Sequence, residues 1–253
     1  MSLLRVNELS KGFGGVLAVA DLSFTINAGT IHSIIGPNGA GKTTLFNLIT
    51  GVYRPTSGRI LFDDVDITGK RPYELAALGM SRTFQNLQIF FNMTAVENVM
   101  VGAHLHLQPR LLPSLLHLPS VRRRDAACRE RCLELIEFVG CGKYRDADAA
   151  SMPYGALKRL EIARALASQP RLLLLDEPAA GLNATESREI DDVIKRVAAQ
   201  GVTVVLVEHD MKMVMGLSDH ILALDYGRKL AEGTPEEVGK NPDVINAYLG
   251  AAN

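Results

Sequence analysis

The 253-residue sequence predicts an α/β fold: a parallel sheet carrying a phosphate-binding loop, joined to an antiparallel β region and interrupted by a helical insert. Three observations point to it. Residues 36–44 read GPNGAGKTT and follow the apolar run 31–35. Two further apolar runs, 171–175 and 202–207, each end in charged residues. Between residues 85 and 151 the pattern turns helical.

Taken in order, residues 4–9 and 22–26 read as short strands. The stretch between them, KGFGGVLAVAD, reads as a loop that sets Phe13 beside Gly14 and Gly15, near the phosphate loop. Its ring is there either to stack on a base or to pack in the core. The strand 31–35 feeds a G-x-x-x-x-G-K-[ST] pattern, from Gly36 through Gly41 and Lys42 to Thr43. Gly36, Gly39 and Gly41 lack a Cβ, so the backbone through Asn38, Gly39, Ala40 and Gly41 can curl and aim its N–H groups at phosphate oxygens. A helix opening near Thr43 adds its N-terminal amides and the positive end of its dipole. Lys42 reaches the β- and γ-phosphates, Thr43 offers a hydroxyl to Mg²⁺, and Thr44 offers one near the α-phosphate.

Residues 54–58 form a turn, 59–62 and 65–68 read as strands of a sheet-rich lobe, and Pro72 opens a short helix. Residues 80–84 form another strand, running into Gln85. Thr94 caps a helix with Glu97 three residues on, and 122–139 reads as a long helix. Residues 104–120, with three prolines, read as a loop or a broken pair of short helices. His104 and His106 have no carboxylate or cysteine nearby to complete a metal set. Arg122, Arg123 and Arg124 read as the solvated start of a helix, or as a contact for an acidic partner or lipid headgroups.

From Ser151, SMPYGALKRLEIARALAS reads as a turn and an amphipathic helix with Leu157, Leu160, Ala163 and Leu166 on its apolar stripe. The run 171–175 suits a parallel strand buried on both faces. It delivers Asp176 and Glu177 to the C-terminal edge of the sheet, where such folds bind ligands. There Asp176 can hold the water shell of the Mg²⁺, and Glu177 can activate the water that attacks the γ-phosphate. The run 202–207 ends in Glu208, His209 and Asp210, and the His209 imidazole is poised for the γ-phosphate or that water. Residues 220–224 and 228–231 finish the sheet, and the tail is helical from its cap, Thr234, through Pro235 and Glu237.

Composition narrows the function. A net charge of −1 provides no global attraction for nucleic acid, and none is expected as a partner. No apolar run approaches the ~20 residues that cross a bilayer, and the N-terminus lacks an apolar leader core, so a cytosolic chain is expected. Cys128, Cys132 and Cys141 match neither a disulfide set nor zinc spacing and are expected to be reduced structural thiols. No linker or repeat appears, so residues 1–253 are expected to form a single domain.

The ordered set resembles the ATP-binding subunits of ABC transporters along essentially the whole chain. Phe13 stands where that family stacks adenine, GPNGAGKTT is similar to its Walker A loop, and Gln85 to its Q-loop glutamine. Residues 152–156 resemble the signature motif, 172–176 the Walker B strand, Glu177 the catalytic glutamate, 180–183 the D-loop and His209 the switch histidine. The resemblance implies a P-loop NTPase core at about 1–86 and 160–253, with a helical subdomain at about 87–159. It implies ATP and Mg²⁺ as cofactors, catalysis by Glu177, His209, Gln85 and Lys42, and metal contacts from Thr43, Gln85 and, through water, Asp176. It implies a dimer in which Pro153, Tyr154 and Gly155 close over the nucleotide held by the other subunit.

Within that superfamily, YGALKRLEIARAL, LLLLDEPAAGLN, VEHDMKMVMGLSDHI and the ending GTPEEVGKNPDVINAYLG resemble the LivG-type subunits of branched-chain amino-acid importers. Similar subunits serve urea or other small amides, and aromatic acids. The implied partners are a sister ATP-binding subunit or a second copy, membrane permeases and, indirectly, a periplasmic solute-binding protein, with this chain peripheral on the cytoplasmic face of the inner membrane. Two positions depart from the broad family: Pro153 replaces the usual signature serine and so offers no hydroxyl to the γ-phosphate, and Asn183 replaces the usual D-loop aspartate. A soluble ABC-type ATPase acting on nucleic acid or ribosomes is the rival class, but neither a long coiled coil nor a second cassette is present. No N-K-x-D motif supports a GTPase.

Overall fold

The computed structural model describes residues 1–107 and 119–250. Two sheets form the frame. In the first, β1 (Ser2–Phe13), β2 (Val16–Asn27), β4 (Ser57–Phe62) and β5 (Val65–Asp66) pair antiparallel in the order β2-β1-β4-β5. The first hairpin is longer than expected. Its strands continue through register shifts that break the apolar alternation, so KGFGGVLAVAD is mostly strand turning at Gly14 and Gly15, both at positive φ.

The second sheet has the order β10-β9-β3-β8-β7-β6. Its strands β3 (Ile31–Ile35), β6 (Met80–Arg82), β7 (Leu172–Asp176), β8 (Thr203–Val207) and β9 (His220–Asp225) run parallel, and β10 (Arg228–Gly233) pairs antiparallel with β9. Every residue of β3, β7 and β8 is buried, which explains their unbroken Ile, Leu and Val runs. Alternate side chains leave the sheet on opposite faces. Leu173, Leu175, Val204 and Leu206 join a cluster with helical residues such as Val99, Ile136 and Leu160, whereas Leu172, Leu174, Val205 and Val207 join one with Phe46, Leu45 and the first sheet.

The helices are α1 (Lys42–Ile49), α2 (Pro72–Ala77), α3 (Ala95–Gly102), α4 (His104–Leu107), α5 (Pro119–Phe138), α6 (Tyr154–Leu166), α7 (Ala184–Ala199), α8 (Met211–Leu217), α9 (Pro235–Gly239) and α10 (Pro242–Gly250). The insert carries α3, α4 and α5, and residues 108–118, most of the expected loop at 104–120, lie outside the described residues. Thr94 accepts from the Glu97 amide and receives the Glu97 carboxylate in return, as its capping pattern predicts. The tail is two helices rather than one. Pro242 lacks the amide a continuing helix needs, and Asn241 Oδ1 instead accepts from Asp243 N–H at 2.8 Å. The three cysteines are buried and free of disulfides, and burial, the leading cause, pushes Cys132 up to about 12. Among the described residues no helix is long and apolar enough to cross a membrane.

His32 carries a pH signature. It lies buried in β3, 5.4 Å between ring centroids from His220, with Nε2 accepting from Asn27 N–H at 3.3 Å. Burial first, then the charge of His220, lower it to about 4 against the opposing pull of Asp219. The fold therefore favours neutral His32. Its contribution is full above the unfolded value near 6.5 and is lost as pH falls toward 4, because the unfolded chain then binds the extra proton. The slope is at most about 1.4 kcal/mol per pH unit. Between pH 7 and 4.5, urea midpoints of the wild type should fall further than those of His32→Gln; equal falls would remove His32 from the acid response.

Candidate functional site

The loop 36–41 joins β3 to α1, and its glycines hold conformations that a side chain resists. Gly36, Gly39 and Gly41 have φ of 152°, 84° and 98°. Neighbours enforce two of them: a Cβ on Gly36 would stand 2.3 Å from the Leu224 carbonyl oxygen, and one on Gly41 2.4 Å from that of Ala18. Gly36 N–H donates to the Tyr248 hydroxyl at 2.8 Å, so a C-terminal residue fastens the start of the loop. Lys42 Nζ curls back to donate to Gly36 O at 2.6 Å and Pro37 O at 3.0 Å. Its burial lowers the ammonium's pKa, and the charge of Glu177 opposes that shift, so Lys42 and Glu177 sense each other. Thr43 is exposed and Thr44 partly so in the first turn of α1, whose amides have no intrahelical acceptors.

The strand ends bring the predicted carboxylates to this loop. Asp176 is buried at the end of β7, and its Oδ2 accepts from Arg82 Nη2 at 2.9 Å. Glu177 turns off the strand at φ 47°, its N–H donating to Val207 O at 3.0 Å. Its Oε2 accepts from Gln85 Nε2 at 3.1 Å, which unites two expected residues far apart in the chain. His209 follows β8 with an exposed ring. The buried Glu208 beside it accepts from Ala179 N–H at 3.0 Å and from His209 N–H at 3.1 Å, pinning residues 179 and 209 together. Hard oxygen donors from Thr43, Asp176 and Gln85 suit Mg²⁺ in kind.

Phe13 ends β1 with 44% of its surface exposed, edge-on to Tyr53 at 5.3 Å between centroids. It belongs to the hairpin whose Ala18 carbonyl rests on Gly41.

Pro153, Tyr154 and Gly155 lie at the start of α6. Pro153 is the N-cap of α6 and contributes no side-chain hydrogen bond. Tyr154 is half-exposed and packs on Gly181, and Gly155 is pressed by Glu186, whose Oε1 would lie 2.6 Å from a Cβ. Glu186 also closes a capping box with Asn183, whose Oδ1 accepts from Thr185 N–H at 2.9 Å and Glu186 N–H at 3.0 Å. The departure at Asn183 thus retains an N-cap that aspartate also supplies.

The helix α6 is not amphipathic in its surroundings. Lys158 and Glu161 are both 3% exposed, because this polar side holds the segment after β6. Lys158 Nζ donates to Gln85 O at 3.3 Å, Glu161 Oε1 accepts from Gln88 N–H at 3.4 Å, and Arg164 donates to Gln88 O. Sequence reading missed these three residues, along with Arg82 and Glu208. Their signal was charge at core-facing spacing, 158, 161 and 164, and at the ends of apolar strands.

Comparison with known proteins agrees with this geometry. A model of the ABC transporter family matches residues 19–180, and a model described as the branched-chain amino acid ATP-binding cassette transporter matches residues 228–252. The chain is 45% identical over 251 residues to the high-affinity branched-chain amino acid transport ATP-binding protein LivG of Escherichia coli strain K12, covering 99% of this chain and 98% of that one. It is equally similar, with the same coverage, to BraF of Pseudomonas aeruginosa, which bears the same description. Among solved structures, the ADP conformation of an ATP-binding cassette of an ABC transporter superposes with a TM-score of 0.87 at 33% identity, covering 99% of each chain. With a family match across residues 19–180 and 45% identity along nearly its whole length, the chain belongs to the ABC transporter family of ATP-binding proteins.

Proposed function

We propose that this chain is the ATP-hydrolysing subunit of an importer for branched-chain amino acids, working peripherally on the cytoplasmic face of the inner membrane. The observation that carries the catalytic reading is the convergence of Gln85, Glu177 and Lys42: a carboxylate held at 3.1 Å by a glutamine amide, close enough to the loop ammonium to oppose the lowering of its pKa by burial. The names of LivG and BraF, and the match at residues 228–252, support the cargo.

In this reading the loop amides and Lys42 bind the ATP phosphates, and Phe13 stacks on adenine. Glu177 accepts a proton from the attacking water, which Gln85 and His209 help to orient. Thr43, Gln85 and, through water, Asp176 would hold Mg²⁺, which would supply positive charge to the phosphates. A lone phosphate loop leaves the γ-phosphate open to solvent. The exposed Pro153 and Tyr154 and the Gly155 amide of a second subunit, either a sister chain or another copy, close that side.

Residues 1–86 and 160–253 act as the ATP core and 87–159 as the lobe that meets the membrane partner. A groove of about 470 Å³ runs between them, lined by Phe84, Phe90, Leu105, Glu161 and Arg164. Phe90 and Phe91 are 43% and 51% exposed, apolar surface suited to a permease helix. The charged row on α6 ties this groove to Gln85, so a shift of the loop at the γ-phosphate reaches the permease.

With Mg²⁺ and its partner subunits, Glu177→Gln should lower ATP turnover by about a hundredfold or more and trap an ATP-bound dimer in size-exclusion chromatography. Wild-type turnover in that variant would eliminate Glu177 as the base. Pro153→Ser restores a hydroxyl to the closing surface and should tighten ATP-dependent dimerisation by about tenfold; an unchanged midpoint would mean that position 153 does not reach the nucleotide. Photocrosslinkers at positions 88–93 should capture a permease subunit in the assembled transporter, and their silence would move the docking surface elsewhere.

A further inference from the structure

We propose that Arg82 is a positioning residue of the nucleotide site, setting the Asp176 carboxylate at the separation from α1 that Mg²⁺ binding requires. The proposal rests on the assignment of Asp176 to the metal's water shell.

Arg82 is the last residue of β6, and only 10% of its side chain is exposed. Its guanidinium donates to two separate elements and to the backbone beside it. Nη2 donates to Asp176 Oδ2 at 2.9 Å on β7; Nη1 donates to Asn47 Oδ1 at 2.6 Å and to Thr50 Oγ1 at 2.9 Å, both from the phosphate-loop helix; and Nε donates to Thr83 O at 3.3 Å. Two rings bracket it, Phe46 of α1 at 5.6 Å and Phe84 at 5.0 Å from the guanidinium carbon to the ring centroids. A second bond steadies the strand end, Asp176 N–H donating to Thr83 Oγ1 at 3.3 Å.

This arrangement goes beyond what stability asks. A buried ion pair often gains nothing over an apolar pair of equal volume, because both charges must lose water. The geometry instead joins two donors that must act on one ion. Thr43 lies in the first turn of α1, and Asn47 and Thr50 lie four and seven residues further on the same helix and cap. Fixing Asn47, Thr50 and Asp176 to one rigid plane therefore fixes Asp176 relative to Thr43. By occupying Oδ2, Arg82 also sets the rotation of the carboxylate. Only a planar fork can reach all these partners at once; a lysine ammonium keeps the charge and loses the fork.

The test is binding of a fluorescent ATP analogue to the full chain, titrated in EDTA and across Mg²⁺ concentrations, for wild type, Arg82→Met, Arg82→Lys and Asp176→Asn. Arg82→Met should bind the analogue in EDTA within about twofold of wild type and need about tenfold more Mg²⁺ for half-maximal tightening, the loss of one charge-assisted hydrogen bond. Arg82→Lys should fall between them. The double variant Arg82→Met/Asp176→Asn should match Asp176→Asn alone, as residues acting through one another do. An unchanged or reduced Mg²⁺ requirement in Arg82→Met overturns the proposal, and so does an equal loss with and without Mg²⁺. If Asp176→Asn itself leaves the Mg²⁺ requirement unchanged, the assignment of Asp176 fails first. Should Arg82→Met not fold, Phe84→Leu removes one bracketing ring and is expected to raise the requirement about threefold, with no change overturning the proposal.

Discussion

Parallel pairing of β3 with β8 and of β8 with β7 is the constraint on which the site depends. The register sets Ile34 opposite Val207 and Val207 opposite Asp176, so three strands deliver their C-terminal ends to one edge. The residues just beyond each strand are then adjacent without further design: the phosphate loop after β3, Glu177 after β7, and Glu208 with His209 after β8. The pairing is held by apolar residues buried on both faces, each worth roughly 1.5–3 kcal/mol relative to exposure. Catalytic placement is thus a by-product of core packing, and the polar residues at the edge need little scaffolding of their own.

Some scaffolding is nonetheless present, and it consists of buried charge. Glu208 satisfies two loop amides that would otherwise be orphaned near the strand ends. Arg82 and Asp176 form an ion pair with 10% and 7% of their side chains exposed. Both arrangements fix direction more than they add stability, since desolvation offsets much of their Coulomb attraction. The glycines of the phosphate loop answer to the same crowding. Carbonyls of Leu224 and Ala18 press directly on Gly36 and Gly41, so the loop is shaped from behind by β9 and β2 as well as by its own turn preferences.

The link between the site and the helical insert runs through one short segment. Residues 85–88 carry Gln85 at one end and reach the groove at the other, and α6 grips them with Lys158, Glu161 and Arg164. Those three bonds are all made to backbone atoms of the segment. They hold the segment's path while leaving its side chains free to exchange partners, which suits the proposed coupling of this segment to the γ-phosphate. Gly155, at the start of α6, rests on Glu186 at the start of α7, so the proposed closing surface and the residues after Glu177 are in contact within one chain.

The parallel core, the phosphate loop and most candidate site residues were legible in the sequence, because their signals are local. A glycine pattern, an unbroken apolar run or an Asp-Glu pair at a strand end states its role within a few residues. The fold class and the family emerged from the order of those signals. What the sequence left open depends on partners distant in the chain. The middle of the hairpin 2–27 reads as a loop because register shifts disturb its alternation. The helix α6 reads as amphipathic from its apolar spacing, but in the fold its charges meet Gln85 and Gln88 rather than water. Nothing near Arg82 in sequence marks a guanidinium whose acceptors lie on α1 and β7. Local geometry determines which residues can do chemistry; only the tertiary structure decided which buried charges hold them in place, because a charge becomes stable inside a protein only through partners that folding brings to it.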